Sequence, residues 1–528
     1  MDNMPHMKTA DRIRKVSQSN FGGYNHSYSC GDGGIYDMEN ITGDLFPVIS
    51  PRKRRSLCCT LAKPNGLFAR DHLYWVDGST LYEDGEPRGT VLDSHKTFVA
   101  FGPYIIILPD KVMYNTVTHI LSNMEARISG VSVTIKDGTY ADQPAAANTI
   151  HAPGTDWASI FAKGDAVKIQ GCKAHPGNDK TLIVREISGN DLVFYEHSFV
   201  IAEGGDRETL TISRDVPDMD YVFECENRLW GCKGDTIFAS KTGDPTNWHV
   251  FDGISTDSYA VDVGSAGDFT GGCFYLGYPC FFKENYVYKM YGDRPSNFQL
   301  MASARIGVQQ GCGASLAVAG ETLHYLSVMG MVSYNGGIPR MISAPFGTDR
   351  YVEAVAGTDG LKYYASMLDD AGEWTLFTYD TRTQLWFKED NLHVTDFAWL
   401  RGLYYLDAEG NMWCNGDTIA PPQGASPEAE VRSSVEFGDF AEDSLDRKGV
   451  SRLHARVELD KGAHITFYVK YDSSGEWVKV KTITATQKTS VYMPLVLNRC
   501  DHYRIKIEGV GAWKLFSLAR EFYIGSEQ

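Results

Sequence analysis

The residues best placed to do chemistry are the charged and aromatic ones, and few of them fall into a recognisable reactive pattern. No G-x-S-x-G nucleophile elbow, H-E-x-x-H helix, P-loop or G-x-G-x-x-G turn occurs in the chain. The histidines are dispersed, with none four residues apart on a plausible helix, so a histidine metal site is not expected. The eleven cysteines are scattered and include no C-x-x-C; the one adjacent pair is Cys58-Cys59. They read as reduced thiols of a protein made in a cytosol. No cofactor or metal is called for, and no catalytic residue can be named. Carboxylates are abundant, and a glycosidase needs two of them about 5–10 Å apart. Spacing along the chain does not reveal such a pair. The one dense basic cluster is Arg52-Lys53-Arg54-Arg55, directly after Pro51. It reads either as a solvated loop or as a contact for an acidic partner or nucleic acid, which makes it the candidate assembly interface.

The second constellation is Asn227-Arg228-Leu229-Trp230, followed by Ser240-Lys241-Thr242-Gly243-Asp244-Pro245-Thr246-Asn247-Trp248. The later stretch resembles the Asp-box turn of sialidase propellers: a small polar start, Gly-Asp in a turn and a closing tryptophan. Its spacing departs from that box, and Pro245 stands where the box is variable. The expected role is structural, with Asp244 capping turn amides and Trp248 packed beneath. Asn227, Arg228 and Trp230 belong to the same blade turn.

The elements that must carry these residues are strands. Aromatics make up 12% of the chain and glycines number 52, a combination that favours strands joined by tight turns. A strand–turn–strand unit recurs at Leu73 to Tyr82, Asn227 to Ser240, Cys280 to Tyr291, Leu323 to Asn335, Lys362 to Asp380 and Gly402 to Cys414. From Asn227 onward the spacing is roughly 40–50 residues, the period of propeller blades. A lone hairpin is not stable in water, and radial packing of blades would bury both faces. A β-sandwich of generic hairpins is the competing architecture. The unit is absent between Thr118 and Asp218, where Val131 to Lys136, Gly164 to Ile169 and Leu192 to Glu196 suggest a small inserted β-barrel.

Ile419 to Glu430 is rich in Pro, Ala and Glu and reads as a linker. Beyond it, His464 to Tyr471 and Tyr503 to Glu508 alternate with period two, as half-buried antiparallel strands do. The expected fold is therefore all-β. A flexible arm over the first twenty residues and the first propeller strands occupy 1–62, and the propeller begins over 63–117. The barrel occupies 118–217, the remaining blades 218–420 and a C-terminal β-sandwich 431–528.

The formal net charge is −17, which disfavours general nucleic-acid binding but suits a channel that DNA slides through. No apolar run approaches the roughly 20 residues of a membrane helix, and no signal peptide opens the chain, so membrane insertion and export are not expected.

Phe21 to Asn25, Gly31 to Asn40 and Pro47 to Arg52 resemble proteins of tail-gene regions in phages and prophages of gut Gram-positive bacteria. The run from Glu226 through Ser240 to Trp248 resembles the blade signature of phage tail nozzle and head–tail stabilisation proteins. That resemblance implies a non-enzymatic virion subunit made in the host cytoplasm. It implies a homo-oligomer, expected as a hexameric ring, bound to neighbouring tail or connector proteins. Genome DNA would pass through its lumen without sequence-specific contact. The alternatives are a receptor- or glycan-binding tail-tip adhesin and a β-propeller glycosidase.

Overall fold

The computed structural model describes residues 13–140, 143–195, 198–415, 426–472, 475–484, 486–496 and 498–524. Their regular structure is β-strand, with five single turns of 3-10 helix. The chain divides into two compact units, 74–313 and the combination of 1–73 with 314–528.

Seven antiparallel meanders are found among the described residues, six four-stranded and the last five-stranded. Six run in chain order over 64–90, 97–123, 221–262, 271–304, 317–341 and 351–388. The seventh uses Val394–Trp399, Leu403–Asp407 and Asn411–Asn415, and its fourth strand is Arg55–Thr60 from the opposite end of the chain. Each of the six hairpins read from the sequence is the centre of one meander. The meander at 97–123, whose inner strand is Tyr104–Leu108, is not among the hairpins read from the sequence. That strand pairs with Thr97–Phe101 and Val112–Asn115.

The hairpins close as their turn residues dictate. Asp84-Gly85, Glu226-Asn227, Leu276-Gly277 and Gly320-Glu321 are two-residue loops in which both residues have positive φ. That twist matches the flanking strands. At the first hairpin Asp77 pairs with Thr80, so Gly78-Ser79 is the loop.

Within the 74–313 unit, Ala126–Arg214 builds a closed six-stranded barrel, so the inserted barrel expected over 118–217 is present. Its core includes Ile135, Ile150, Trp157, Ile169, Leu192 and Leu210. Burying side chains of this size contributes about 1.5–3 kcal/mol each. The barrel's two ends are pinned together. Lys111 Nζ donates to Glu125 Oε1 at 2.8 Å and to the Val216 carbonyl at 2.7 Å, and it pairs with Asp218 at 2.8 Å.

In the other unit the C-terminal strands form two five-stranded sheets, and each takes one strand from the N-terminal region. Arg14–Gln18 pairs with Trp513–Ile524, and Ile35–Glu39 pairs with Arg432–Phe437. The flexible arm expected over the first twenty residues is thus a sheet strand from Arg14; residues 1–12 lie outside the described residues. Alternate residues of Tyr503–Val510 are buried, as the period-two pattern requires. The two sheets are linked where Trp513 Nε1 donates to Ser433 Oγ at 3.0 Å and Arg520 Nε donates to Glu442 Oε1 at 2.7 Å. The linker expected at 419–430 falls largely outside the described residues. Its described end is structured: Ser426–Pro427 pairs with Arg55–Thr60.

Candidate functional site

The basic cluster is divided by the fold. Arg52 and Arg55 are buried, with 8% and 3% of their surface exposed, while Lys53 and Arg54 face solvent. The two buried arginines stand three residues apart, on either side of the irregular stretch 53–54 that leads into the Arg55–Thr60 strand. Arg52 donates to both oxygens of Glu428, at 2.7 and 2.8 Å, and its Nε donates to Asn40 Oδ1 at 2.7 Å. Arg55 donates to Glu389 Oε2 at 2.8 Å and to both oxygens of Asp390 at 2.5 and 3.1 Å. The Tyr405 ring lies 5.5 Å from the Arg55 guanidinium. Two of the four candidate interface residues therefore act inside the chain: Arg55 ties the seventh meander to Glu389 and Asp390 just before it, and Arg52 reaches Glu428 after it. An exposed role is left to Lys53 and Arg54.

The charges of this cluster are mutually set. Burial pushes the Asp390 carboxyl up, but Arg55 and Arg52 outweigh it and leave the group below the usual carboxylate range. Burial likewise opposes ionisation of Glu428, and the hydrogen bond from Arg52 reverses the shift downward. Sequence reading missed Glu389, Asp390 and Glu428. The first two follow a short aromatic strand, Leu385–Lys388, with nothing to distinguish them from surface acids. Glu428 sits in what read as a linker.

Around Lys53 the surface opens into three cavities that share this residue. One, of about 380 Å³, is lined by Arg52, Lys53, Arg54, Asp460 and Lys461 among others. A second, of about 220 Å³, runs past Asp44 and Lys514. The third, of about 320 Å³, lies against Asp359, Lys362, Tyr364, Trp399, Arg401 and Asn415. Trp399 and Arg401 belong to the tight turn between two strands of the seventh meander, where Leu400 N bonds to the Gly402 carbonyl. Lys362 is engaged by Asp44 and Thr42, and Tyr364 donates to Asp359 at 3.1 Å.

The second constellation is a turn clamp within the 74–313 unit. Asp244 Oδ1 accepts from the Thr246 amide at 3.0 Å and from its hydroxyl at 2.7 Å; Oδ2 accepts from Asn247 Nδ2 at 2.5 Å. Trp248 is buried and donates from Nε1 to the Pro245 carbonyl at 2.8 Å. Asp244 caps the turn and Trp248 packs under it, as the sequence implied. Arg228 is buried and holds the backbone carbonyls of Ser240, Asp257 and Ser255. Trp230 packs against Phe298 and Phe281, with centroids at 5.2 and 6.3 Å. Asn227 is exposed; its carbonyl accepts from Gly243 N at 2.7 Å. The sequence did not reveal that Asn247 also reaches the barrel. Its Nδ2 donates to Asp165 Oδ1 at 3.0 Å, and its Oδ1 accepts from Ala166 N at 3.0 Å.

No group of three or more His, Cys, Asp or Glu residues could hold a metal ion among the described residues. No helix there is long and apolar enough to cross a membrane.

No family model and no curated protein sequence matches the chain. Solved structures match at low similarity. Kluyveromyces lactis Hsv2 aligns at 9% identity and a TM-score of 0.28, covering 53% of this chain and 90% of that one. Trypanosoma rangeli sialidase in complex with the inhibitor DANA aligns at 10% identity and a TM-score of 0.23, covering 97% and 96%. A Bacillus subtilis family 43 arabinoxylan arabinofuranohydrolase aligns at 10% identity and a TM-score of 0.18, covering 89% and 96%. Similarity at this level carries no argument about function.

Proposed function

We propose that the chain is a bacteriophage structural protein, one subunit of a tail or neck ring around the DNA exit channel, without catalysis. The observation that carries this reading is the seventh meander, whose fourth strand comes from the other end of the chain. Sharing one sheet between the two chain ends is how a circular array of blades is tied shut. The seven meanders are read on that basis as the blades of a β-propeller. The paired five-stranded sheets are read as a β-sandwich, and sandwich and barrel as side domains available to grip neighbours. This order of parts, together with the blade signature from Glu226 to Trp248, is what the resemblance to tail nozzle and head–tail stabilisation proteins implies. A net charge of −17 suits a lumen that DNA traverses without adhering. Lys53 and Arg54 are the exposed cations left for contact with a neighbouring subunit.

Solution mass by multi-angle light scattering, with and without extract of tails lacking this protein, tests the proposal. A closed oligomer near six copies, alone or on tail extract, is expected. A monomer that ignores the extract overturns it.

A further inference from the structure

The cavity of about 320 Å³ beside the seventh meander has a composition that the ring reading does not use. Its volume is that of a small-ligand site holding one or two sugar rings. Trp399 lines it and leaves half of its own surface in solvent. A tryptophan of this exposure has no packing role that demands its size, and its face offers a platform for the apolar side of a pyranose ring.

The cations of the cavity fall into two classes. Lys362 is consumed by Asp44 and Thr42, and Arg52 by Glu428 and Asp390. Lys53 and Arg401 have no ion pair among the described residues. All three carboxylates are occupied: Asp44 on Lys362, Glu389 on Arg55 and Arg52, and Asp359 on Tyr364 and the amides of Leu361 and Lys362. The unspent charge at the rim is positive. Hydroxyl-binding groups are also at hand. Asp359 Oδ1 is filled by the amides of Leu361 and Lys362, but its Oδ2 keeps a lone pair beside the Tyr364 hydroxyl; the Tyr364 oxygen can accept because its proton is donated, and the Asn415 amide has no hydrogen-bond partner among the described residues.

We propose that this cavity binds a sugar ring carrying a carboxylate, stacked on Trp399, with its hydroxyls on Asp359, Tyr364 and Asn415 and its carboxylate on Lys53 and Arg401. A nucleic-acid strand would also use an aromatic platform and cations. A cavity of about 320 Å³ holds one or two rings and no run of stacked bases, and acceptors such as Asp359 Oδ2 and Tyr364 suit sugar hydroxyls. Lys53 is shared with the proposed subunit contact, but Trp399, Asp359, Tyr364 and Arg401 are not, so failure of sugar binding leaves the ring reading intact and a failed ring leaves the cavity.

The test is calorimetric titration of the full chain with galacturonate trisaccharide, hyaluronan tetrasaccharide and sialyllactose, each beside a neutral counterpart. At least one acidic sugar is expected to bind at about 1 mM or tighter. Its neutral counterpart should bind at least tenfold more weakly. W399A and the double variant K53Q/R401Q should each lose at least tenfold in affinity with unchanged melting temperature, and W399F should retain part of it. Absence of binding across the acidic panel, equal binding of neutral sugars, or binding that survives W399A would overturn the proposal. So would a thymidine oligonucleotide that binds through Trp399 more tightly than any sugar.

Discussion

At the scale of single residues, the fold depends on charges that the chain cannot leave unpaired. Arg55 lies buried against Glu389 and Asp390, so Arg55→Ala leaves those two carboxylates only their longer contacts to Arg52 in a poorly solvated place. Removing one partner of a buried pair costs about 3–5 kcal/mol, and urea denaturation should register a loss of that order. The same cluster makes the protein acid-sensitive. Asp390 and Glu428 have folded values below their unfolded ones. Their stabilisation is complete above the ordinary carboxylate values near 4 and disappears as pH falls through the depressed folded values. His324 acts in a higher window. It is buried between the rings of Tyr363 and Tyr379, and burial lowers its pKa from 6.5 to about 4. Between these values the unfolded chain carries the proton and the folded chain does not, so stability falls as pH drops from 6.5 toward 4. His324→Phe should flatten the pH dependence of the unfolding midpoint in that window by up to about 1.4 kcal/mol per pH unit. Of all this, the sequence disclosed that Arg52 to Arg55 form one cluster, but not that two of the four turn inward. Burial of a charge depends on partners more than 300 residues away, and no local pattern announces them.

At the scale of elements, what could be read was local. Period-two alternation, aromatic pairs and turn residues located the hairpins, because a hairpin is made by neighbours in the chain. What could not be read was which distant strand completes a sheet. Arg55–Thr60 carries Leu57, Cys58 and Cys59 and is compatible with any of several edges; nothing local to it specifies the pairing with Asn411–Asn415. The seam so formed has a narrow tolerance at Gly410. This residue has a φ of 92°, its carbonyl accepts from Leu61 N at 2.8 Å, and a side-chain carbon there would run into the Leu61 carbonyl. Gly410→Ala combines left-handed strain with a backbone collision, and strain of this kind costs about 1–3 kcal/mol. Thermal melting should show the loss, whereas Gly234→Ala, at a turn with open space around it, should cost less. The barrel shows the same limit of sequence reading. Its boundaries were legible from the missing hairpin unit, yet the bridge from Asn247 to Asp165 and Ala166 was not.

At the scale of the whole molecule, the N-terminal region and the barrel are opposites. The segment 13–62 contributes strands to three sheets: Arg14–Gln18 and Ile35–Glu39 to the C-terminal pair and Arg55–Thr60 to the seventh meander. The barrel, though larger, returns to its point of departure, with Glu125, Val216 and Asp218 all gathered by Lys111. An insertion whose ends meet can be removed at a small cost in loop closure, while a segment shared among sheets leaves unpaired edges and bared apolar faces. Two deletions therefore separate in outcome. Replacing 126–214 by a short Gly-Ser linker should give a soluble chain with a cooperative melt, and the excised barrel should fold by itself around its own core. Deleting 1–62, the shorter stretch, should yield aggregated protein even though it leaves every C-terminal strand in place. Size-exclusion chromatography and circular dichroism of the two variants decide the matter. A soluble, cooperatively folding 63–528 chain would show that the N-terminal strands decorate the sheets without being needed to complete them, and would remove the shared seventh meander as support for a tied ring of blades.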